Sequence, residues 1–292
     1  MKFCIFNSLS VHYEMFSYIL DYCKENNEKI DIYTNRENNY GWLDFYEKRY
    51  SIHTWYPISF FDPNAYDYVF LLTDDDFYPY FDSSFTAKVI VIEHNGMRQL
   101  PLNAFSFLQT RQFKLRNPQS NPNTWIMPLW NNVFHEKYEK LTVLSVGNAS
   151  NLLDLKELFI NFNDIHFILI DRYMDCSDSE SITKYNSLDT NLLIEYAAKS
   201  HYILFWPTTE FSQNHKYNSM SASFPLGYSV GTPLIVPESY IEPYGLRTLT
   251  GLECPISLEK PSREYYDKFL KERKSLLTRR NYILDSIFVN NI

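Results

Sequence analysis

Leu192–Pro237, LLIEYAAKSHYILFWPTTEFSQNHKYNSMSASFPLGYSVGTPLIVP, is the stretch whose reading decides the fold. It reads as a short helix, then a buried strand ending in Trp206-Pro207. A polar, glycine-poor loop and a helix follow, and Gly231-Thr232-Pro233 opens another strand. Strand, helix and strand in that order make the crossover unit of a parallel sheet. At the carboxyl edge of such a sheet the strand delivers the chain to a ligand. The next helix turns its N-terminus, with free N–H groups and a partial positive charge, toward an anion.

Upstream, the same alternation runs from the first residues. KFCIFN is strand-like, and His12 to Asn26 has helical spacing of Met15, Ile19, Leu20 and Cys23. KIDIYT reads as a strand, Trp42 to Tyr50 as an amphipathic helix, and HTWYPIS, DYVFLLT and AKVIVIEH as further strands. The Pro/Asn-rich RNPQSNPNTW interrupts this pattern, and TWIMPLW is expected to supply a last strand. The pattern then restarts, with LTVLSVGN a strand ending in Gly147, LLDLKELFINF a helix and IHFILID a strand. DTNLLIEYAA is a helix, HYILFW and TPLIVP are strands, and Ser262 to Ile287 is a long charged helix. Short apolar strands between helices imply a parallel sheet covered on both faces. The expectation is an α/β protein of two Rossmann-like, doubly wound domains, residues 1–136 and 137–265, with a terminal helix over 266–292 crossing back onto the first.

Composition narrows the function classes. The 292 residues are 45% hydrophobic and 21% charged, long enough for two cores, and no apolar run approaches the length that crosses a bilayer. MKFCIFN reads as a first strand and not as a cleaved signal. A net charge of −8 argues against nucleic acid as a partner, because neutralising phosphates needs a basic surface. Cys4, Cys23, Cys176 and Cys254 lack metal-ligand spacing and read as free thiols in the cytoplasm. The 24 Tyr and 22 Phe suit sugar stacking, although core packing accounts for most of them.

Four segments carry a family resemblance: TWIMPLWNNVF, LTVLSVGNAS, NLLIEYAAKSHYILFWPTTE and SVGTPLIVPES. In that order over residues 124–240 the chain resembles the GT-B glycosyltransferases, and more loosely their retaining GT4-like branch. The resemblance implies transfer of a hexose or pentose from a UDP- or GDP-type nucleotide-sugar to a glycan or glycoconjugate acceptor. It implies no metal or other cofactor. Compact size and Asn/Tyr-rich composition suggest a divergent member from a large DNA virus or an AT-rich genome, acting in host-cell cytoplasm if viral. Two features depart from the family. Leu226 stands where spacing from Gly231 would put the second donor glutamate, and Lys156 alone is near where an Arg/Lys pair follows the glycine turn.

Without a metal, the leaving diphosphate needs backbone N–H groups and cationic side chains, and an inverting transfer also needs a base. For the diphosphate the candidates are the Gly147-Asn148 turn, Arg172, and Ser219, Ser221 and Ser223 at a predicted helix start. Glu210 stands for the family's first glutamate, and Glu238 is placed to hold ribose hydroxyls. For catalysis Glu93 and His94 end an apolar strand, His12 follows the first strand, and Asp75 lies in the Asp74-Asp75-Asp76 run. A structural reading exists for each: a turn glycine, a solvated arginine, a dipole-favoured acid, a hydrogen-bonded histidine. Asp74 and Asp76 also fit an Asp-x-Asp manganese site, which makes a single-domain, Mn²⁺-dependent GT-A transferase the alternative. A nucleotide-sugar 2-epimerase or a non-catalytic sugar-nucleotide binder would use the same scaffold. Lys268, Lys271, Arg273, Lys274, Arg279 and Arg280 on the terminal helix read as a solvated face, or as a weak membrane-surface contact.

Overall fold

The computed structural model describes residues 1–9, 13–35, 41–51, 53–72, 86–93, 106–110, 125–132, 135–147, 156–170, 179–207, 216, 220–252 and 255–289. The chain divides into two compact units. One is chiefly Met1–Trp130 with Leu277–Ile292, and the other chiefly Asn131–Tyr217 with Ser221–Leu276.

The first unit holds six parallel strands: β1 (Phe3–Asn7), β2 (Ile30–Thr34), β3 (His53–Tyr56), β4 (Tyr68–Leu71), β5 (Lys88–Glu93) and β6 (Ser106–Gln109). Their spatial order is β3-β2-β1-β4-β5-β6. This is the doubly wound order, whose direction reverses between β1 and β4. The inner strands β1, β4 and β5 are largely apolar on both faces because both are covered. Cys4, Phe6, Val69, Leu71, Val89 and Val91 pack on one side. On the other, helix α1 (Ser17–Asn26) lies buried along most of its length. Helix α1 stops at Asn27, whose φ of 56° is one that an asparagine tolerates better than most residues. Helix α2 (Trp42–Arg49) follows β2.

The second unit repeats the plan. It contains β7 (Thr142–Val146), β8 (His166–Ile170), β9 (Ile182–Tyr185), β10 (Tyr202–Leu204), β11 (Leu234–Pro237) and β12 (Thr250–Leu252), all parallel in the order β12-β11-β10-β7-β8-β9. Renumbered from β7, that is the first unit's order again, with reversal between β7 and β10. Val143, Phe167, Leu169, Leu204 and Ile235 form its core with Leu158 and Phe159. Helices α3 (Thr190–Lys199) and α4 (Ser223–Val230) complete the crossovers. Asp189 caps α3 by accepting the Asn191 N–H at 2.9 Å.

Helix α5 (Arg263–Phe288) belongs to both units: residues up to Leu276 to the second, and those from Leu277 to the first. In the first unit Phe288 stacks on β1 and β4, its ring 4.1 Å from Phe3 and 5.5 Å from Phe70. Burying such a ring is worth about 1.5–3 kcal/mol. Among the described residues no helix is long and apolar enough to cross a membrane.

Three expectations are corrected. The sixth strand of the first sheet is Ser106–Gln109, not TWIMPLW. Ile126–Trp130 is buried and apolar, yet α5 takes its carbonyls. Arg280 Nη1 donates to the Leu129 carbonyl at 2.8 Å, and Arg279 Nε to that of Trp125 at 2.8 Å. The edge strands β9 and β12 also escaped the sequence reading, being only four and three residues long. Lastly, the basic face of α5 is only partly solvated. Arg273 and Arg280 are buried and Arg279 lies 4.3 Å from the Trp125 ring, leaving Lys268, Lys271 and Lys274 exposed.

Candidate functional site

Ligands of open parallel sheets sit beyond the carboxyl ends of the strands, where the strand order reverses. In the second unit that point lies between β7 and β10, which run side by side with Ser145 beside Leu204. Strand β7 ends at Val146, and Gly147, which follows it, donates its N–H to the Ile170 carbonyl at 2.8 Å. Its φ is +66°, the left-handed region that a side chain makes costly. Among the described residues nothing lies within 4 Å of where a Cβ would stand.

Beside it, β10 runs on into Phe205, held by its N–H to the Ile235 carbonyl at 2.9 Å. The Phe205 ring meets Phe224 edge-on at 5.4 Å and Tyr240 at 5.4 Å, and Phe224 stacks flat on Tyr244 at 3.9 Å. This aromatic layer anchors α4 beneath the carboxyl edge.

Every residue of α4 is buried. Ser221 and Ser223 stand at its start, but Ser221 Oγ already accepts the Ser223 N–H at 3.3 Å. The opposite end is held by cations that complement the helix dipole. Arg273 donates to the carbonyls of Tyr228 at 2.6 Å and Ser229 at 3.2 Å. Lys137 Nζ reaches the Gly231 carbonyl at 3.4 Å, the Ala198 carbonyl at 2.8 Å and Thr232 Oγ1 at 2.8 Å. Burial pushes the Lys137 ammonium down to about 7. Nearby at the amino edge, His201 Nδ1 accepts the Thr142 N–H at 3.1 Å, and burial holds its pKa down to about 4, so the ring is neutral.

Glu238 follows β11 and is exposed at the carboxyl edge. Its carboxylate lies over Gly251 of β12, so closely that a Cβ there would overlap it. Lys216, which the sequence reading passed over as part of a polar loop, sets its ammonium 5.9 Å from the Tyr240 ring centroid. The carboxyl edge of the second sheet therefore collects Gly147, the start of α4, Glu238 and Lys216. Among these only Lys216 had no signal beyond its charge.

Elsewhere the placements are mixed. Glu93 is the last residue of β5 and fully buried, and its carbonyl accepts the Thr110 N–H at 3.0 Å. Leu226 lies inside α4, and Lys156 sits 5.9 Å from the Phe162 ring. His12, Asp74, Asp75, Asp76, His94, Asn148, Arg172, Glu210 and Ser219 lie outside the described residues.

Solved structures share this architecture. A glycosyltransferase of avilamycin A biosynthesis is similar over 98% of this chain and 96% of its own, with TM-score 0.57 and 8% identity. An alpha-glucosyltransferase in complex with UDP and a 13-mer DNA containing a HMU base is similar over 100% and 97%, with TM-score 0.55 and 10% identity. A UDP-N-acetylglucosamine 2-epimerase is similar over 100% and 97%, with TM-score 0.52 and 12% identity. No protein-family model and no curated protein matches the sequence. At such identities the likeness speaks for the fold, and the fold is that of the GT-B enzymes: two Rossmann-like domains and a C-terminal helix, not the one continuous domain of the GT-A alternative.

Proposed function

We propose that this protein is a metal-independent glycosyltransferase, moving a hexose or pentose from a nucleoside diphosphate sugar to a glycan or glycoconjugate acceptor in the cytoplasm. One observation carries the reading. At the reversal point of the second sheet a left-handed glycine has none of the described residues within 4 Å of its Cβ position, while α4 is fixed by cations at its far end. Such an edge suits a diphosphate, which needs main-chain N–H groups and a helix dipole where no metal neutralises it. In this reading Gly147, Asn148, Arg172, Glu210, Ser219, Ser221 and Ser223 hold the donor, with Lys216 adding charge, and Glu238 accepts the ribose hydroxyls. His94, Glu93, His12 and Asp75 are the candidates for acid–base work in the first domain. UDP is the first nucleotide to try, because a neighbour of the same fold was solved with it.

Thermal-shift titration with UDP, GDP and their sugars tests the proposal. A ligand held only by the native state raises the melting temperature. Stabilisation by one nucleotide, with slow hydrolysis of its sugar in EDTA, is the expected result. No shift with any nucleotide rejects donor binding, and activity that returns only with Mn²⁺ rejects metal independence. A 2-epimerase is the second reading, favoured by the similarity to such an enzyme. It predicts that the sugar nucleotide is returned intact but epimerised.

A further inference from the structure

A cleft opens on the face of the second sheet opposite its core, running from the start of β7 and β8 to the carboxyl end of the edge strand β9. Thr142 of β7, His166 of β8, and Thr183 and Tyr185 of β9 line it, with Tyr196 of α3 and Tyr138 as walls. Its volume is ≈ 350 Å³, within the range of small-molecule sites. A parallel sheet normally fills such positions with Val or Ile, because both faces are covered. Here Thr142 and His166 take such positions on the inner strands β7 and β8, and Thr183 and Tyr185 of the edge strand β9 extend the polar lining around Ile168, in register as Thr142 with His166 and Ile168 with Thr183.

The polar groups are ordered. Tyr185 and Tyr196 stack at 5.5 Å and join their hydroxyls at 2.9 Å. His166 is hydrogen-bonded to the Glu180 backbone, and its Nε2 meets Thr183 Oγ1 at 3.2 Å. Thr142 Oγ1 gives its proton to the Lys140 carbonyl at 2.9 Å. Thr142 is buried, whereas Thr183 is partly exposed, and its hydroxyl has lone pairs enough to accept from a ligand as well as meet His166. Acceptor oxygens beside tyrosine rings, with Glu139 and Lys140 of opposite charge at the rim, suit a neutral polyhydroxylated ring with an apolar face.

We propose that this cleft is a saccharide-binding site, separate from the nucleotide site and independent of the reading given for it. A neutral sugar would lay its C–H face on the tyrosine rings and donate a hydroxyl proton to Thr183, while the buried Thr142 helps form the floor. Its Thr142–His166 end lies at the start of β7, about 16 Å from Gly147 at ~3.3 Å per residue, and its Tyr185 end lies two strands across from that glycine, in register with Ile170 and Val146.

The test is saturation-transfer NMR on the full chain with maltotriose, cellotriose and chitotriose, each with and without excess UDP. At least one should receive saturation, undiminished by UDP, and the signal should fall at least about five-fold in Tyr196→Ala. Thr183→Val, close in shape and without the acceptor, should weaken it as well, and it decides the matter if Tyr196→Ala does not fold. Transfer to none of the three sugars, competition by UDP, or full signal in Thr183→Val overturns the proposal. Failure of the nucleotide reading would leave every one of these outcomes unchanged.

Discussion

Arg280 of α5 is completely buried and donates from Nη1 to Asp21 Oδ2 of α1 at 2.8 Å, although 259 residues separate them. The same guanidinium reaches Glu25 Oε2 at 3.0 Å and the Leu129 carbonyl at 2.8 Å, so one side chain ties α1, the Ile126–Trp130 segment and α5 together. Tyr50 adds a hydroxyl to Asp21 Oδ1 at 3.3 Å. A buried ion pair adds little over an apolar pair of the same shape, but half of one is costly.

Arg280→Ala is therefore expected to destabilise the first unit by about 3 kcal/mol, because the buried Asp21 loses its nearest cation and keeps only the more distant Arg49, at 4.0 Å, to balance its charge. The double variant Arg280→Met with Asp21→Leu should recover much of that loss. Urea unfolding followed by near-UV circular dichroism checks both. A double variant no better than Arg280→Ala would show that the pair does more than neutralise itself.

Gly147→Ala separates the turn's conformation from its space. The positive φ should cost about 1–2 kcal/mol of stability. A methyl group that meets no described atom should not otherwise disturb the fold. Under the proposed function the same methyl crowds the diphosphate, and UDP affinity should fall roughly ten-fold by calorimetry. Unchanged affinity would make the glycine a turn residue only.

Glu238 and Gly251 should behave as one unit. Glu238→Ala removes an exposed carboxylate and is expected to leave the melting temperature within a degree or two. If that carboxylate accepts ribose hydroxyls, the loss in nucleotide affinity is about 1.5–3 kcal/mol. Gly251→Ala should reproduce the loss by displacing the same group. Calorimetry with UDP and with 2′,3′-dideoxy-UDP tests the pairing. Both variants should discriminate less between the two ligands than the unmodified protein does.

His201 sets an acid limit. Its folded pKa of about 4 lies below the ordinary value near 6.5, so the unfolded chain binds the extra proton first as pH falls. Its contribution is fully present above pH 6.5 and is lost between 6.5 and 4, at up to about 1.4 kcal/mol per pH unit. His201→Asn keeps an acceptor for the Thr142 N–H and should flatten that limb. Denaturation midpoints at pH 7, 5.5 and 4.5 read it out.

The placements divide along physical lines. Strands such as KFCIFN, LTVLSVGN and TPLIVP were legible because a parallel sheet covered on both faces demands short continuous apolar runs. Gly147 and Gly231 were legible as turns, and both have positive φ. TWIMPLW has the same apolar character and is no strand, because arginines of α5 claim its carbonyls. Strands β9 and β12 stand at the sheet edges, where one side lacks a partner and few apolar residues are needed.

By itself, the sequence determined two rounds of strand and helix, and with them the doubly wound class, since periodicity records which faces must leave water. Tertiary structure alone decided which charges are internal. Arg273 and Arg280 continue the buried stripe of Phe269, Leu276 and Ile283. From spacing they look like solvated residues until Asp21 and the end of α4 are brought against them. A charge is paired by a partner in space, not by a neighbour in sequence, so no local pattern carries that information.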